Sequence, residues 1–246
     1  MPSKRNKKRL KIAVAGLLAT VGIGIAGLVY ALPSSAAAAC PGCYGLEEAA
    51  AGIYVQKDIG EHERTAIIQT VESSRTLLNG FWGPLQASPR VLVCSDEACF
   101  RRLGGGKRRG MSLYDRVAVL SPRGTNVTIA AHELSMNELH HRIGLWAFAT
   151  GAVPIWFNEG IAMLSSDDLR YLAPADQANR CLVDVSAASL PSGMFEWNRT
   201  ALTDRQLYAK AACRTSQWMT THGGPSAVVA LIDSIGAGVS FDKAAR

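Results

Sequence analysis

AHELSMNELHHR, residues 131–142, is the stretch of the sequence that decides the fold. The residues before it are apolar, Thr125 or Asn126 can cap a helix there, and Gly144 stands where a helix often ends. The sequence therefore predicts a helix from residue 127 to about residue 143. This helix carries a His-Glu dipeptide on its N-terminal half.

A second segment, IWFNEG at residues 155–160, follows a Val-Pro dipeptide and predicts another helix over about residues 156–164. The two segments together resemble the gluzincin metallopeptidases, and within them small bacterial proteins of the peptidase MA type. In that family a His-Glu-x-x-His helix precedes a helix with an Asn/Asp-Glu-Gly motif. The likeness covers about residues 130–162 and extends more loosely to residues 208–210 and 238–241. It implies a small gluzincin-like metallopeptidase domain.

The resemblance also implies a set of site residues. His132 and Glu159 would bind Zn²⁺, and Glu133 would be the general base that takes a proton from zinc-bound water. The second histidine of the motif, one helical turn after the first, is replaced here by Met136. A thioether is a soft, weak donor that suits copper(I) better than zinc. His140 lies a further turn away, about 12 Å along the helix axis from His132, which is too far for both to bind one ion.

Two functions follow from this pattern. One is a zinc metallopeptidase that hydrolyses bonds in a peptide or protein substrate. The other is a non-catalytic module that keeps the peptidase fold and binds a peptide or envelope partner in the former active-site cleft. A purely structural protein braced by disulfides would explain the cysteines but not residues 156–160. Tyr208 is either a packed side chain or a group that helps stabilise an oxyanion.

The rest of the chain predicts an α+β domain that is mostly helical after a short sheet. Residues 91–93 form a short apolar run and residues 116–120 alternate in polarity, so both are predicted strands. The glycine-broken basic stretch 101–109 between them predicts a solvated mobile loop or, less often, a patch for acidic partners. Further helices are predicted at about 61–79, 204–221 and 225–235.

The N-terminal part predicts export. Residues 1–11 form a basic tail, and residues 12–32 are an uncharged apolar run long enough to cross a bilayer core of roughly 30 Å. The run is either a transmembrane anchor with the N-terminus in the cytoplasm, or the apolar region of a cleaved signal peptide. Residues 33–45 are predicted to be a linker and residues 46–246 the peptidase-like domain. The domain is accordingly extracytoplasmic on the membrane, or periplasmic or secreted if the signal is cleaved.

The charge distribution argues against nucleic-acid binding. The formal net charge is +6, but the basic tail holds six Lys and Arg residues and no acidic residue. Beyond the tail, 20 basic residues balance 20 acidic ones. A neutral body lacks the basic surface on which phosphate binding depends. The expected partners are therefore a peptide or protein, and the membrane through the N-terminal helix.

The six cysteines all follow the apolar run, and their even number fits an oxidising compartment. Several pairings are possible. We favour the local pairs Cys94 with Cys99 and Cys181 with Cys213, which leaves Cys40 and Cys43 together. A redox role for that Cys-Pro-Gly-Cys segment lacks the strand and helix that normally surround such a motif.

Overall fold

Five short strands form one mixed sheet: β1 Leu46–Ala50, β2 Ile53–Gln56, β3 Arg90–Val93, β4 Gly110–Leu113 and β5 Val117–Leu120. Their spatial order is β1-β2-β3-β5-β4. The inner pairs β2/β3 and β3/β5 are parallel, whereas the edge pairs β1/β2 and β4/β5 are antiparallel. This computed structural model describes residues 32–177, 179–185 and 189–246.

Nine helices accompany the sheet in the described part of the chain: α1 Pro33–Ala39, α2 Glu61–Trp82, α3 Glu97–Arg102, α4 Val127–Ala149, α5 Ile155–Ser165, α6 Met194–Thr200, α7 Leu207–His222, α8 Pro225–Gly236 and α9 Phe241–Ala244. Most of them follow the last strand. The predicted α+β class, mostly helical after a short sheet, is therefore confirmed. The strands β3 and β5 were predicted from the sequence, whereas β1, β2 and β4 were not.

The predicted N-terminal tail, residues 1–11, and all but the last residue of the predicted membrane segment, residues 12–32, lie outside the described residues. Within residues 32–177, 179–185 and 189–246, no helix is both long enough and apolar enough to cross a membrane.

Apart from Arg90 at the start of β3, the strands β3 and β5 are apolar because both faces of the sheet are covered there. One face of β3 and β5 packs, with Val91 and Leu120, into a core that includes Val71 of α2 and Leu134 of α4. The other face contributes to a second cluster with Phe100 of α3. Strands buried on both sides lack alternation and appear as continuous apolar runs.

Residues 33–45, predicted to be a linker, contain regular secondary structure and pack on the sheet. Residues 33–39 form α1, and residues 41–44 form a turn of 3₁₀ helix. Ala37 and Ala38 are buried in the second cluster, where they cover Leu92 and Val119 of the sheet. Ser34 donates a hydrogen bond to the carbonyl oxygen of Leu103. The alanine run suits this role because alanine has the highest helix propensity and its small side chain allows close approach to the sheet.

The disulfides are those favoured from the sequence. Cys94 is bonded to Cys99, Cys181 to Cys213, and Cys40 to Cys43. The described residues include no free cysteine. Three disulfides are consistent with a domain that folds in an oxidising, extracytoplasmic compartment.

The helix that carries the His-Glu dipeptide begins where the sequence indicates but extends beyond its predicted end at about residue 143. Asn126 caps it by accepting a hydrogen bond from the backbone N–H of Ile129 at 3.0 Å. Gly144 adopts a φ of 77°, which interrupts the helix, although helical structure resumes and continues to Ala149. A positive φ is readily adopted only by glycine, so the interruption falls where the sequence allows it.

The pair formed by Glu138 and Arg142 is buried. Their four-residue spacing predicts an ion pair on an exposed helix face, but their side chains expose only 1% and 4% of their surface. Nε of Arg142 donates to Glu138 at 2.7 Å. The same carboxylate accepts backbone N–H bonds from Gln86 and Ala87. The pair therefore joins α4 to the segment that leads into β3.

Candidate functional site

A cleft with a volume of about 560 Å³ is bordered by α4, α5, α6, α7 and the edge strand β4. We refer to it as the central cleft. His132, Glu133 and Met136 line it from α4, and Glu159 lines it from α5. Three residues that the sequence assigned to one site are thus brought together in one cavity.

His132 and Glu159 face each other within the central cleft. Nε2 of His132 lies 3.5 Å from Oε2 of Glu159, which is long for a hydrogen bond. Two ligands bonded to one zinc ion at about 2.0–2.2 Å, with a tetrahedral angle between them, would lie about 3.4 Å apart. The two side chains are therefore spaced as two ligands of a single ion.

Gly160 fixes the position of Glu159 by letting α5 pack closely on α7. A Cβ atom at Gly160 would lie 2.0 Å from Oγ1 of Thr215 and 2.8 Å from the carbonyl oxygen of Ala211. Both partners belong to α7, and the carbonyl cannot move aside without shifting that helix. The Asn-Glu-Gly sequence therefore has a packing reason for its glycine.

Glu133 is enclosed between α4 and β4. A Cβ atom at Gly110 would lie 2.7 Å from Cγ and from Oε1 of Glu133, so any larger residue there would force this side chain to shift. Burial raises the pKa of Glu133 to about 7, and the charge of Glu159 adds to this effect while the charges of His132 and Arg108 oppose it. A carboxyl group with such a pKa can exchange protons near neutral pH.

His132 has one nitrogen towards Glu159 and one without a partner. Burial favours its neutral form, but the close approach of Glu159 and the charges of Glu133, Glu159 and Asp168 outweigh this, so the pKa of His132 is raised. Nδ1 is buried and has no hydrogen-bond partner. Histidine ligands of metal ions normally donate this second N–H to a supporting group, and His132 lacks that support here.

Met136 determines how well the central cleft fits a metal ion. It lies one turn after His132, lines the cleft and is only 8% exposed. Within the part of the chain that the structure describes, no group of three or more His, Cys, Asp or Glu side chains is arranged to hold a metal ion. The donors at this site are thus one imidazole and one carboxylate, without the three protein ligands that a catalytic zinc site requires.

Aromatic side chains form one wall of the central cleft. Tyr208 of α7 stacks on Tyr171 with ring centroids 5.3 Å apart, and its ring meets Trp197 of α6 edge-on at 5.2 Å. Burial raises the pKa of Tyr208 to about 12, helped by the charge of Glu159. Tyr208 is thus a packed side chain that also lines the cleft. The sequence motifs did not indicate Tyr171 or Trp197, which lie outside any recognisable pattern.

Basic residues form a rim of the central cleft. Lys107, Arg108 and Arg109, from the stretch predicted to be a solvated loop, line the cavity next to β4. Arg170 also lines it, but its guanidinium is bonded to Asp168 at 2.8 Å. The end of the basic stretch, residues 107–109, is therefore part of the candidate site, whereas Arg101 and Arg102 belong to α3.

His140 does not face His132 and Glu159 in the central cleft but takes part in a separate, buried hydrogen-bond network. Its Nδ1 lies 3.3 Å from the carbonyl oxygen of Tyr114, and its Nε2 lies 3.2 Å from Nδ2 of Asn158. Burial lowers the pKa of His140 to about 4, although the bond to Tyr114 and the charges of Glu159 and Asp115 act in the other direction. His140 is therefore neutral in the folded protein above about pH 4.

Acid is expected to destabilise the protein through His140. An unfolded histidine has a pKa of about 6.5, so between this pH and pH 4 the unfolded state binds a proton that the folded state does not. The free energy of unfolding should therefore fall as the pH is lowered, by about 3 kcal/mol from this group between pH 7 and pH 4. Urea unfolding of the parent and of His140→Gln at several pH values measures the effect. The free energy of unfolding of the variant should fall by about 3 kcal/mol less than that of the parent between pH 7 and pH 4. The same dependence on pH in both proteins would contradict the lowered pKa of His140.

The structure thus gathers His132, Glu133 and Glu159 in one cleft and places the other helix histidines elsewhere. His141 pairs with Asp115 at 3.0 Å. The glycine at position 110, the edge strand that contains it and the aromatic wall were missed by sequence reasoning, because none carries a local motif. Comparison of the chain with protein-family models and with curated proteins finds no match.

Proposed function

We propose that this protein is an exported, peptidase-like binding module whose central cleft holds a polypeptide segment without cleaving it. The observation that carries the proposal is Met136 in the cleft, where a third metal ligand would have to stand. Two donors alone form a poor zinc site, because catalytic zinc is held by three protein ligands. The cleft itself nevertheless has a volume of about 560 Å³, which leaves room for a ligand.

The edge strand supports a polypeptide as the ligand. β4 is the last strand of the sheet on its side, and its residues Gly110, Met111 and Ser112 line the central cleft. The outer edge of a strand offers backbone N–H and C=O groups to which an extended peptide can add. The aromatic wall and the basic rim, which line the same cavity, would then contact the side chains of that peptide.

The proposed location follows from the N-terminal sequence and the disulfides. Residues 12–32 would anchor the chain in a membrane with the basic tail in the cytoplasm. The domain with its three disulfides would then face the extracytoplasmic side. Cleavage of the same segment as a signal would release the domain as a periplasmic or secreted protein.

The second candidate function is zinc-dependent peptide hydrolysis. It is favoured by one observation, the 3.5 Å separation between Nε2 of His132 and Oε2 of Glu159. Under this alternative Glu133, which lines the same cavity, would be the general base. The two functions differ in metal content and in cleavage.

Metal analysis together with peptide binding tests the proposal. The purified full-length chain, dialysed against a weak chelator, should retain far less than one zinc per molecule. An immobilised random-peptide library should bind the protein to the same extent with and without zinc, and mass spectrometry should show the peptides uncleaved. About one zinc per chain, with cleavage that Glu133→Gln abolishes, would establish the enzyme instead.

A matched pair of variants locates the binding to the central cleft. Asn198 of α6 is exposed and lines the cleft, whereas its neighbour Arg199 does not line it. Asn198→Trp should obstruct the cavity and weaken library binding at least about tenfold, while Arg199→Trp should leave it within about twofold. Equal binding by both variants would show that peptides bind elsewhere.

A further inference from the structure

A second cavity, of about 610 Å³, adjoins the central cleft. It lies between the C-terminal half of α4 and the start of α5, and we call it the α4–α5 pocket. Ser112, Met136 and Met194 line both cavities. A polypeptide held in the central cleft could therefore place one side chain in the α4–α5 pocket.

The lining of the α4–α5 pocket is mostly apolar. Ile143, Val153 and Ile155 contribute aliphatic surface, and Phe148 contributes an aromatic ring. Phe148 packs against the His140 ring at 4.5 Å. The volume of the α4–α5 pocket lies within the range of about 300–1,000 Å³ that is usual for cavities that bind organic ligands. An apolar side chain thus fits this cavity better than a charged one.

Hydrogen bonds at the polar end of the α4–α5 pocket fix the orientation of the Asn158 side chain. A backbone carbonyl can only accept, so Nδ1 of His140 must donate its hydrogen to Tyr114. The buried, neutral ring then leaves Nε2 as an acceptor. Asn158 must present its Nδ2 donor to that nitrogen, which is the arrangement observed at 3.2 Å.

The acceptor of Asn158 remains unpaired as a result. Asn158 lines the α4–α5 pocket and is only 7% exposed. Its Oδ1 is buried and has no hydrogen-bond donor. Leaving a buried acceptor unpaired is unfavourable, so a ligand that brings an N–H group to this oxygen gains affinity.

We propose that the α4–α5 pocket binds a tryptophan side chain of the polypeptide held in the central cleft, with the indole N–H donated to Oδ1 of Asn158. Tryptophan fits because its side chain is large, apolar and a donor only. Phenylalanine and leucine supply no donor, and lysine or arginine would bring a charge into an apolar cavity. This inference rests on the proposed function, since it assumes a polypeptide in the central cleft.

Three peptides that differ in one side chain test the hydrogen bond directly. Isothermal titration of the full-length chain would compare a short alanine-based peptide with a central tryptophan, the same peptide with benzothienylalanine, and the same peptide with phenylalanine. Benzothienylalanine has nearly the shape of tryptophan but carries sulfur in place of the N–H. The tryptophan peptide should bind about tenfold or more tightly than either analogue. Equal affinities would overturn the proposal.

A variant that fills the cavity tests its location. Ala147 lines the α4–α5 pocket, whereas Ala230 is exposed on α8 and lies outside both cavities. Ala147→Trp should remove the preference for the tryptophan peptide, and Ala230→Trp should keep it. Persistence of the preference in Ala147→Trp would show that the tryptophan side chain does not bind in the α4–α5 pocket.

Failure of this inference can be distinguished from failure of the proposed function. If the peptide library binds the central cleft without a preference for tryptophan, only this inference fails. If no peptide binds at all, the proposed function fails too.

Discussion

Replacement of Met136 by histidine is expected to give a protein that retains about one zinc ion per chain. The new imidazole would stand one turn after His132 on the same face of α4, in the cavity that Glu159 also lines. With it the site would have the two histidines and one carboxylate of a catalytic zinc site. Loss of a group that only hydrogen-bonds to a metal ligand costs about 10–100-fold in metal affinity. Gain of a direct ligand should therefore raise zinc affinity by more than about 100-fold.

Competition titration with a chromogenic chelator measures that affinity in parent and variant. Met219→His is a suitable control, because Met219 is a partly buried helix residue on α7 that does not line the central cleft. It should leave zinc content unchanged. If the parent already binds zinc as tightly as Met136→His, the ligand argument is wrong and the protein is a metalloenzyme despite Met136. Proteolysis that appears only in Met136→His would identify the parent as a former peptidase.

The two helices of the site could be predicted because their signals are local. Asn126 caps the first helix through a backbone N–H only three residues away, and the Asn-Glu-Gly segment of the second is recognisable as a short continuous motif. Such signals place His132 and Glu159 on successive helices without knowledge of the rest of the fold.

The remaining elements depend on contacts that a sequence pattern does not display. β4 is partly exposed and contains glycine and serine, so it lacks both the apolar run that predicted β3 and the pattern that predicted β5. The alanines of α1 resemble a linker in composition, yet Ala37 and Ala38 are buried because they pack on the second face of the sheet. The bond between His140 and Asn158 joins residues of two different helices. This bond forms only because α4 and α5 pack against each other, so no local sequence pattern could indicate it.

Burial of Glu138 has a further consequence, because Glu138→Ala is expected to destabilise the protein by about 3–5 kcal/mol. The substitution leaves the nearly inaccessible guanidinium of Arg142 without its closest counter-charge, and removal of one partner of a buried ion pair costs about that amount.

The backbone N–H groups of Gln86 and Ala87 lose their acceptor in the same variant. Asp233→Ala is the matched control, since Asp233 also pairs with Arg142, at 3.2 Å, but its side chain is 52% exposed. An exposed partner contributes about 0–1 kcal/mol, so the control should unfold at nearly the parental urea concentration. Similar losses in the two variants would contradict the burial of the pair. A large loss in Glu138→Ala alone would show that this pair holds α4, and with it His132 and Glu133, in place against the sheet.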